Sequence, residues 1–161
     1  MKPVLTILLL LPLFIAAQDC KVLKDTDPYT KETKLSSGFI SLQGGSLTIE
    51  ADSKEVDFFF IVNDKCFGDG STVYIYMEGS KVKTTWRNAG SMNCTGYFHY
   101  RYKNTTVTPT VVKKLSTQKI TQLIFIGNDK KEVTVTLLPE QQNIVMKAVA
   151  CMSEEAKTLI K

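Results

Sequence analysis

Hydrophobic and polar residues alternate with a period of two through much of residues 56–137, and that period predicts β-strands. The clearest stretch is 72–87. Val73, Ile75 and Met77 alternate with Thr72, Tyr74 and Tyr76; after a turn, Val82, Thr84 and Trp86 alternate with Lys81, Lys83 and Arg87. This predicts a hairpin with the aliphatic residues and Trp86 facing inward, and Tyr74 and Tyr76 beside lysines facing out. A Glu78-Gly79 loop sets Ile75 opposite Val82, and a Gly79-Ser80 loop sets it opposite Thr84; both registers preserve the two faces. A second hairpin is predicted over 120–138. Ile120, Ile124 and Ile126 share a face, residues 127–130 turn, and Val133, Val135 and Leu137 return. An Asn128-Asp129 loop there places Ile124 opposite Val133.

Residues 56–62 are apolar on both sides: Val56, Phe58, Phe60 and Val62 on one, Phe59 and Ile61 on the other. Such a strand is expected to be central and covered twice, by a helix or second sheet. A sharper reading lets Phe59 line a ligand cavity. In residues 97–103, Phe98, Tyr100 and Tyr102 oppose Tyr97, His99, Arg101 and Lys103. Earlier, Phe39-Ile40-Ser41-Leu42 and Leu47-Thr48-Ile49-Glu50 flank a Gly44-Gly45 turn, a hairpin signal. Residues 20–24 read as a first strand that resumes over 31–35 after an Asp27-Pro28 turn. Residues 111–116 read as a short strand or a turn of helix. From Pro139 the period changes. Ile144, Val145, Ala148, Met152 and Ala156 recur at helical spacing, with Cys151 beside them and Glu140 near the N-terminus. A helix over about 139–160 should lie on the sheet and cover Phe59 and Ile61. The fold class is therefore mainly β with one C-terminal α-helix, an antiparallel meander forming a barrel or sandwich.

The first 17 residues stand apart. Lys2 precedes an apolar run from Val4 to Ile15, and Ala16-Ala17 follow, which predicts a secretory signal peptide cleaved after Ala17. The run is shorter than the roughly 20 apolar residues of a membrane span. Residues 18–161 then form a single domain of ordinary globular composition, 43% hydrophobic and 22% charged over the whole chain. Loss of Lys2 takes the formal charge from +4 to +3, too little and too evenly spread for nucleic acid. An exported chain with four cysteines predicts two disulfides. Cys66–Cys94, closing a loop within the β region, and Cys20–Cys151, tying the start of the domain to its last helix, are the favoured pairs. The setting is secreted or periplasmic, with no transmembrane segment in the mature chain.

Motifs for chemistry are scarce. No two cysteines stand two to four residues apart and His99 is the sole histidine, which disfavours zinc. Asp64 and Asp69 lack calcium-loop spacing. Gly44-Gly45 has neither a following helix nor a Lys-Ser/Thr pair, so it is no phosphate loop. There is no Gly-x-Ser-x-Gly and no His-Glu-x-x-His, and no cofactor motif. His99 reads as an exposed strand residue, because a general base needs a partner the sequence does not name. Asp57, Asp64 and Asp69 stay as acids of unknown mutual position. Asn93-Cys94-Thr95 and Asn104-Thr105-Thr106 match the glycosylation pattern, relevant only in a eukaryotic host.

Asp19-Cys20, then Asp27-Pro28-Tyr29-Thr30-Lys31, an apolar strand into Cys66, the hairpin Val-Tyr-Ile-Tyr-Met-Glu-Gly-Ser-Lys-Val, a loop Cys94, a late hairpin and a helix near Cys151 resemble a group of uncharacterised short exported proteins of Bacteroidota. The resemblance implies a bacterial envelope or secreted setting and carries over no active-site residue.

The expected function is a non-enzymatic exported binding or interaction module of the envelope, its partner an envelope protein or cell-wall glycan; an inhibitor of a secreted hydrolase is one concrete form. Tyr74 and Tyr76 beside Lys81 and Lys83 are the candidate face, since aromatic and cationic residues make good contact surfaces. The alternative is a small hydrophobic-ligand carrier with a cavity near Phe59 and Trp86.

Overall fold

The computed structural model describes residues 21–160. The predicted leader, its cleavage site and Cys20, hence the Cys20–Cys151 pair, lie outside the described residues.

The chain is mainly β with a C-terminal helix, as its periodicity predicts. One antiparallel sheet is built from β1 (Leu23–Thr26), β2 (Thr33–Ser36), β3 (Ile40–Leu42), β4 (Gly45–Ala51), β5 (Glu55–Val62) and β8 (Tyr97–Lys103). Its order is β1-β2-β4-β5-β8, with β3 also paired to β4. The second contains β6 (Thr72–Met77), β7 (Thr84–Arg87), β9 (Ile120–Ile126) and β10 (Glu132–Thr136), in the order β10-β9-β6-β7. The sheets do not close on one another, so the arrangement is a sandwich. Phe60 and Phe98 of the first each lie 5.4 Å from Phe125 of the second, ring centre to ring centre, and Phe58 lies 5.1 Å from Trp86. Each such ring contributes about 1.5–3 kcal/mol on leaving water.

The chain crosses between sheets at the β5–β6 and β7–β8 loops, and these loops are joined to each other. Cys66–Cys94 is bonded as predicted. Beside it, Phe67 and Asn93 exchange two backbone hydrogen bonds of 2.8 Å. Phe67 is fully buried against Phe98 and Phe125. Gly96 follows at φ +80°, and any Cβ there would run into the Val62 carbonyl, so only glycine lets the loop return to β8 this closely.

The helix α2 of the last segment (Pro139–Glu155) is preceded by a shorter one, α1 (Thr110–Leu115), and continues into a 3-10 turn, Ala156–Leu159. Val145, Val149 and Met152 of α2 and Val112 and Leu115 of α1 enter the same core as the sheets. α2 touches β2, β3 and β4 on one side and β9 on the other, so it wedges between the sheets. Pro139 opens it, and the Leu138 N–H donates to Gln141 Oε1 at 2.9 Å. Asn104 is buried; its Nδ2 donates to the carbonyls of Asp52 (2.8 Å) and Ala156 (2.7 Å). It is a clamp between β-sheet and helix end rather than an accessible glycosylation acceptor.

Several expectations change. Residues 21–36 are not one interrupted strand but a β1–β2 hairpin. Asp27 Oδ1 accepts from the Tyr29 and Thr30 N–H groups, and Lys31 takes φ +59°, which turns the chain back. Ile75 pairs with Thr84, the second of the two registers, yet Val82 precedes β7 and is 74% exposed. In the late hairpin Ile124 pairs with Thr134, not Val133. The turn is longer than the Asn128-Asp129 loop, because Gly127 N–H bonds the Lys131 carbonyl and buried Lys65 donates to that same carbonyl at 3.1 Å. Leu123 and Phe125 thus point inward and Ile124 and Ile126 outward. A register shift at Tyr76/Met77 returns Ile120 to the core. In α2, Ile144 is 51% exposed and Val149 takes the inward position. Phe59 is covered not by α2 but by Tyr97 and His99 of β8.

Tyr102 faces α2. Burial pushes its pKa up to about 12, opposed by a hydrogen bond with Ser153; burial also raises Tyr100. A spectrophotometric titration of the six tyrosines should find these two ionising last. The folded value exceeds the unfolded one near 10, so this stabilisation is complete below about pH 10 and is lost as pH rises through the folded value. A single step near pH 10 with the fold intact would contradict this packing.

Candidate functional site

Side chains on the outer face of the first sheet form a charged and aromatic cluster. Antiparallel pairing of β5 with β8 sets Asp57 opposite Arg101 and Phe59 opposite His99. Alternate residues share a face, so the four side chains converge. His99 Nδ1 lies 2.7 Å from Asp57 Oδ2, and Arg101 Nε donates to the same oxygen at 2.9 Å. Glu55 lies 4.0 Å from Arg101. The His99 ring stacks on Phe59 at 4.6 Å between centres and 16° between planes.

The connection after β7 holds this histidine from its other side. Asn88 is buried and uses all of its side-chain amide: Oδ1 accepts from the His99 and Gly90 N–H groups, and Nδ2 donates to the Gly68 and Gly90 carbonyls. The Ala89 N–H bonds the His99 carbonyl. A Cβ at Gly90 would press into His99 Cδ2. His99 is therefore not an exposed strand residue; its side chain is 19% exposed and that of Asp57 15%. Among the described residues Nε2 has no hydrogen-bond partner. The other carboxylate oxygen, Asp57 Oδ1, is buried with no partner among the described residues.

Asp57 and Arg101 also form the floor of a cleft of about 530 Å³ between the β1–β2 hairpin and the outer face of β4 and β5. Lys24, Asp25 and Lys34 come from the hairpin; Glu50 and Glu55 come from the strands and Asp52 from the turn between them. A smaller cleft, about 210 Å³, lies between Val22 and α2. Neither is lined by Phe59 or Trp86. Trp86 is instead stacked on Tyr100 at 3.8 Å and 4°.

Tyr74 and Tyr76, predicted to face outward, do so on the other sheet. Lys83 Nζ sits 3.3 Å from the centre of the Tyr74 ring, a cation–π contact. Lys81 is exposed in the preceding turn. Ile124, paired with Tyr74, and Ile126 lie on the same face. Asp64 and Asp69 are exposed positions of the 63–71 loop, outside the strands. Among the described residues no group of three or more His, Cys, Asp or Glu side chains could hold a metal ion, and no helix is long and apolar enough to cross a membrane. The Cys66–Cys94 bond fits an oxidising compartment.

Comparison with known proteins finds no matching family model, no matching curated protein and no matching solved structure.

Proposed function

We propose that this protein is an exported, non-enzymatic binding module of the cell envelope, and that it takes its partner in the cleft above Asp57 and Arg101. The observation that carries the reading is the built character of that floor. Two strands, a stacked ring and a buried asparagine fix one guanidinium, one carboxylate and one imidazole beside a cleft of ligand size. Both walls mix the two signs of charge, Lys24, Asp25 and Lys34 on the hairpin and Glu50, Glu55, Asp57 and Arg101 on the strands, which suits a ligand of mixed charge such as a peptide-bearing cell-wall glycan or a segment of an envelope protein. Asp57 is also placed to orient His99 as a base. Arg101 occupies the same carboxylate oxygen, however, and among the described residues no nucleophile is hydrogen-bonded to Nε2, so recognition is the better use of the cluster.

The second sheet supports a second reading. Ile124 and Ile126 extend the Tyr74–Tyr76 face into a partly exposed aromatic and aliphatic patch beside Lys83, which a protein partner such as a secreted hydrolase could cover. The carrier alternative has less support, since Phe59 and Trp86 are both occupied by neighbouring rings.

Immobilised oxidised protein challenged with native envelope extract distinguishes these readings. The cleft reading expects one stoichiometric species, identified by mass spectrometry and sugar analysis. It should be lost from Lys24→Ala/Lys34→Ala and Asp57→Asn/Arg101→Ala, and kept by Tyr74→Ala/Tyr76→Ala. The reverse pattern would move the site to the second sheet, and an empty column would remove both.

A further inference from the structure

The sandwich leaves its strand edges unequally guarded. β1 is four residues long and carries Lys24 and Asp25. The free side of β8 is bonded at His99 by Asn88 and Ala89. On β3, the Ser41 carbonyl accepts from Gln141 of α2. β7 has four residues and ends in Arg87. Charges, short lengths and covers of this sort prevent edge-to-edge association. β10 is longer by one residue than β1 and β7 and, among the described residues, has no covering bond on its open side. It reads Glu-Val-Thr-Val-Thr, its sole charge at one end, with neither lysine nor proline within it.

The bonding pattern fixes which groups are open. Gly127 N–H to Lys131 C=O and Leu137 N–H to Thr121 C=O put the odd-numbered residues of β10 in the bonded pairs with β9. The N–H and C=O groups of Glu132, Thr134 and Thr136 then point away from the sheet. This edge is self-complementary. A second β10, antiparallel and centred on Thr134, places Thr134 opposite Thr134 and Glu132 opposite Thr136. All six open groups on each strand are matched, and no like charges meet. From this we infer that β10 pairs with β10 of a second copy of this chain, joining two four-stranded sheets into one of eight. The inference stands on the strand edge and not on the binding cleft. Two five-residue strands bury little surface, so the dimer is a weak, concentration-dependent one.

Cysteine trapping tests the register. Paired residues on the two-fold axis lie about 5.5 Å apart, within disulfide reach. Thr134→Cys should therefore form a covalent dimer under mild oxidation. Thr136→Cys on the same strand should remain monomeric, since its own copy lies roughly 13 Å away. Thr134→Pro removes only an outward N–H, which an edge strand tolerates. It should keep the wild-type circular dichroism spectrum and abolish the rise in mass that sedimentation detects for wild type at increasing concentration. Thr134→Lys and Thr134→Glu should each weaken association and restore it when mixed. Wild type that stays monomeric throughout, or equal trapping of the two cysteine variants, would overturn the pairing.

Discussion

Replacing Cys66 and Cys94 together by alanine should lower the unfolding free energy by about 3.5 kcal/mol, the loop-entropy value for a cross-link spanning 28 residues. For a domain of this size that is a fall of roughly 10–15 °C in Tm. The location explains why the loss should be felt globally. The bond ties the loop entering the second sheet to the loop leaving it, so the relaxed chain gains freedom in both crossings at once. Phe67, buried beside Phe98 and Phe125, depends on the same closure. Paired calorimetry of the wild-type and Cys66→Ala/Cys94→Ala proteins measures the difference. A shift under about 3 °C would mean that the Phe67–Asn93 bridge and the core hold the loops without the cross-link.

The second large effect is expected at Asn88. Truncation to alanine removes a side chain that satisfies two N–H groups and two carbonyls near His99. Leaving one buried polar group unpaired costs about 1–3 kcal/mol; water will recover some of these, so Asn88→Ala should cost about 2–4 kcal/mol in all. Asn88→Asp is the informative companion. It keeps the acceptor but aims a carboxylate oxygen at the Gly68 and Gly90 carbonyls, and should be at least as damaging as alanine. Denaturant unfolding gives both numbers. An aspartate variant as stable as wild type would contradict the assigned amide orientation. If the alanine variant still folds, the His99 ring should lose its fixed environment, which its ring-proton shifts report.

Much of the fold was legible because a strand's period is local. The faces of β5, β6 and β8 follow from alternation alone, and so does the direction of His99, with Arg101 and away from Phe98. What alternation could not supply was which strand lies beside which. Asp57 and His99 stand 42 positions apart, and their meeting depends on a β5–β8 register set by loops that first pass through the other sheet. Asn88 gave no signal for a similar reason: a polar residue after a strand reads as a turn until its four partners are seen. The late hairpin failed on turn length. Reading a two-residue loop moved the pairing by one position; the faces of β10 hold, with Val135 and Leu137 buried, but a single step reverses the face of β9 relative to them. Phe125 carried the missing clue, since a phenylalanine in the same strand competes with Ile124 and Ile126 for the inward side. In α2 the predicted stripe holds at Val145, Met152 and Ala156, but it also took in exposed Ile144 and missed buried Val149, because two adjacent apolar residues open the repeat.

Chemical-shift mapping shows whether a partner sits in the cleft above Asp57 and Arg101. Isotope-labelled protein, oxidised and in its mature form, would be titrated with soluble cell-wall muropeptides and with the species recovered from envelope extract. Saturable shifts are expected at Lys24, Lys34, Asp57, His99 and the Arg101 side chain, with Tyr74, Tyr76 and Ile124 unmoved. Shifts on the Tyr74 face with the Arg101 side chain silent, or no saturable shift anywhere, would contradict binding in the cleft.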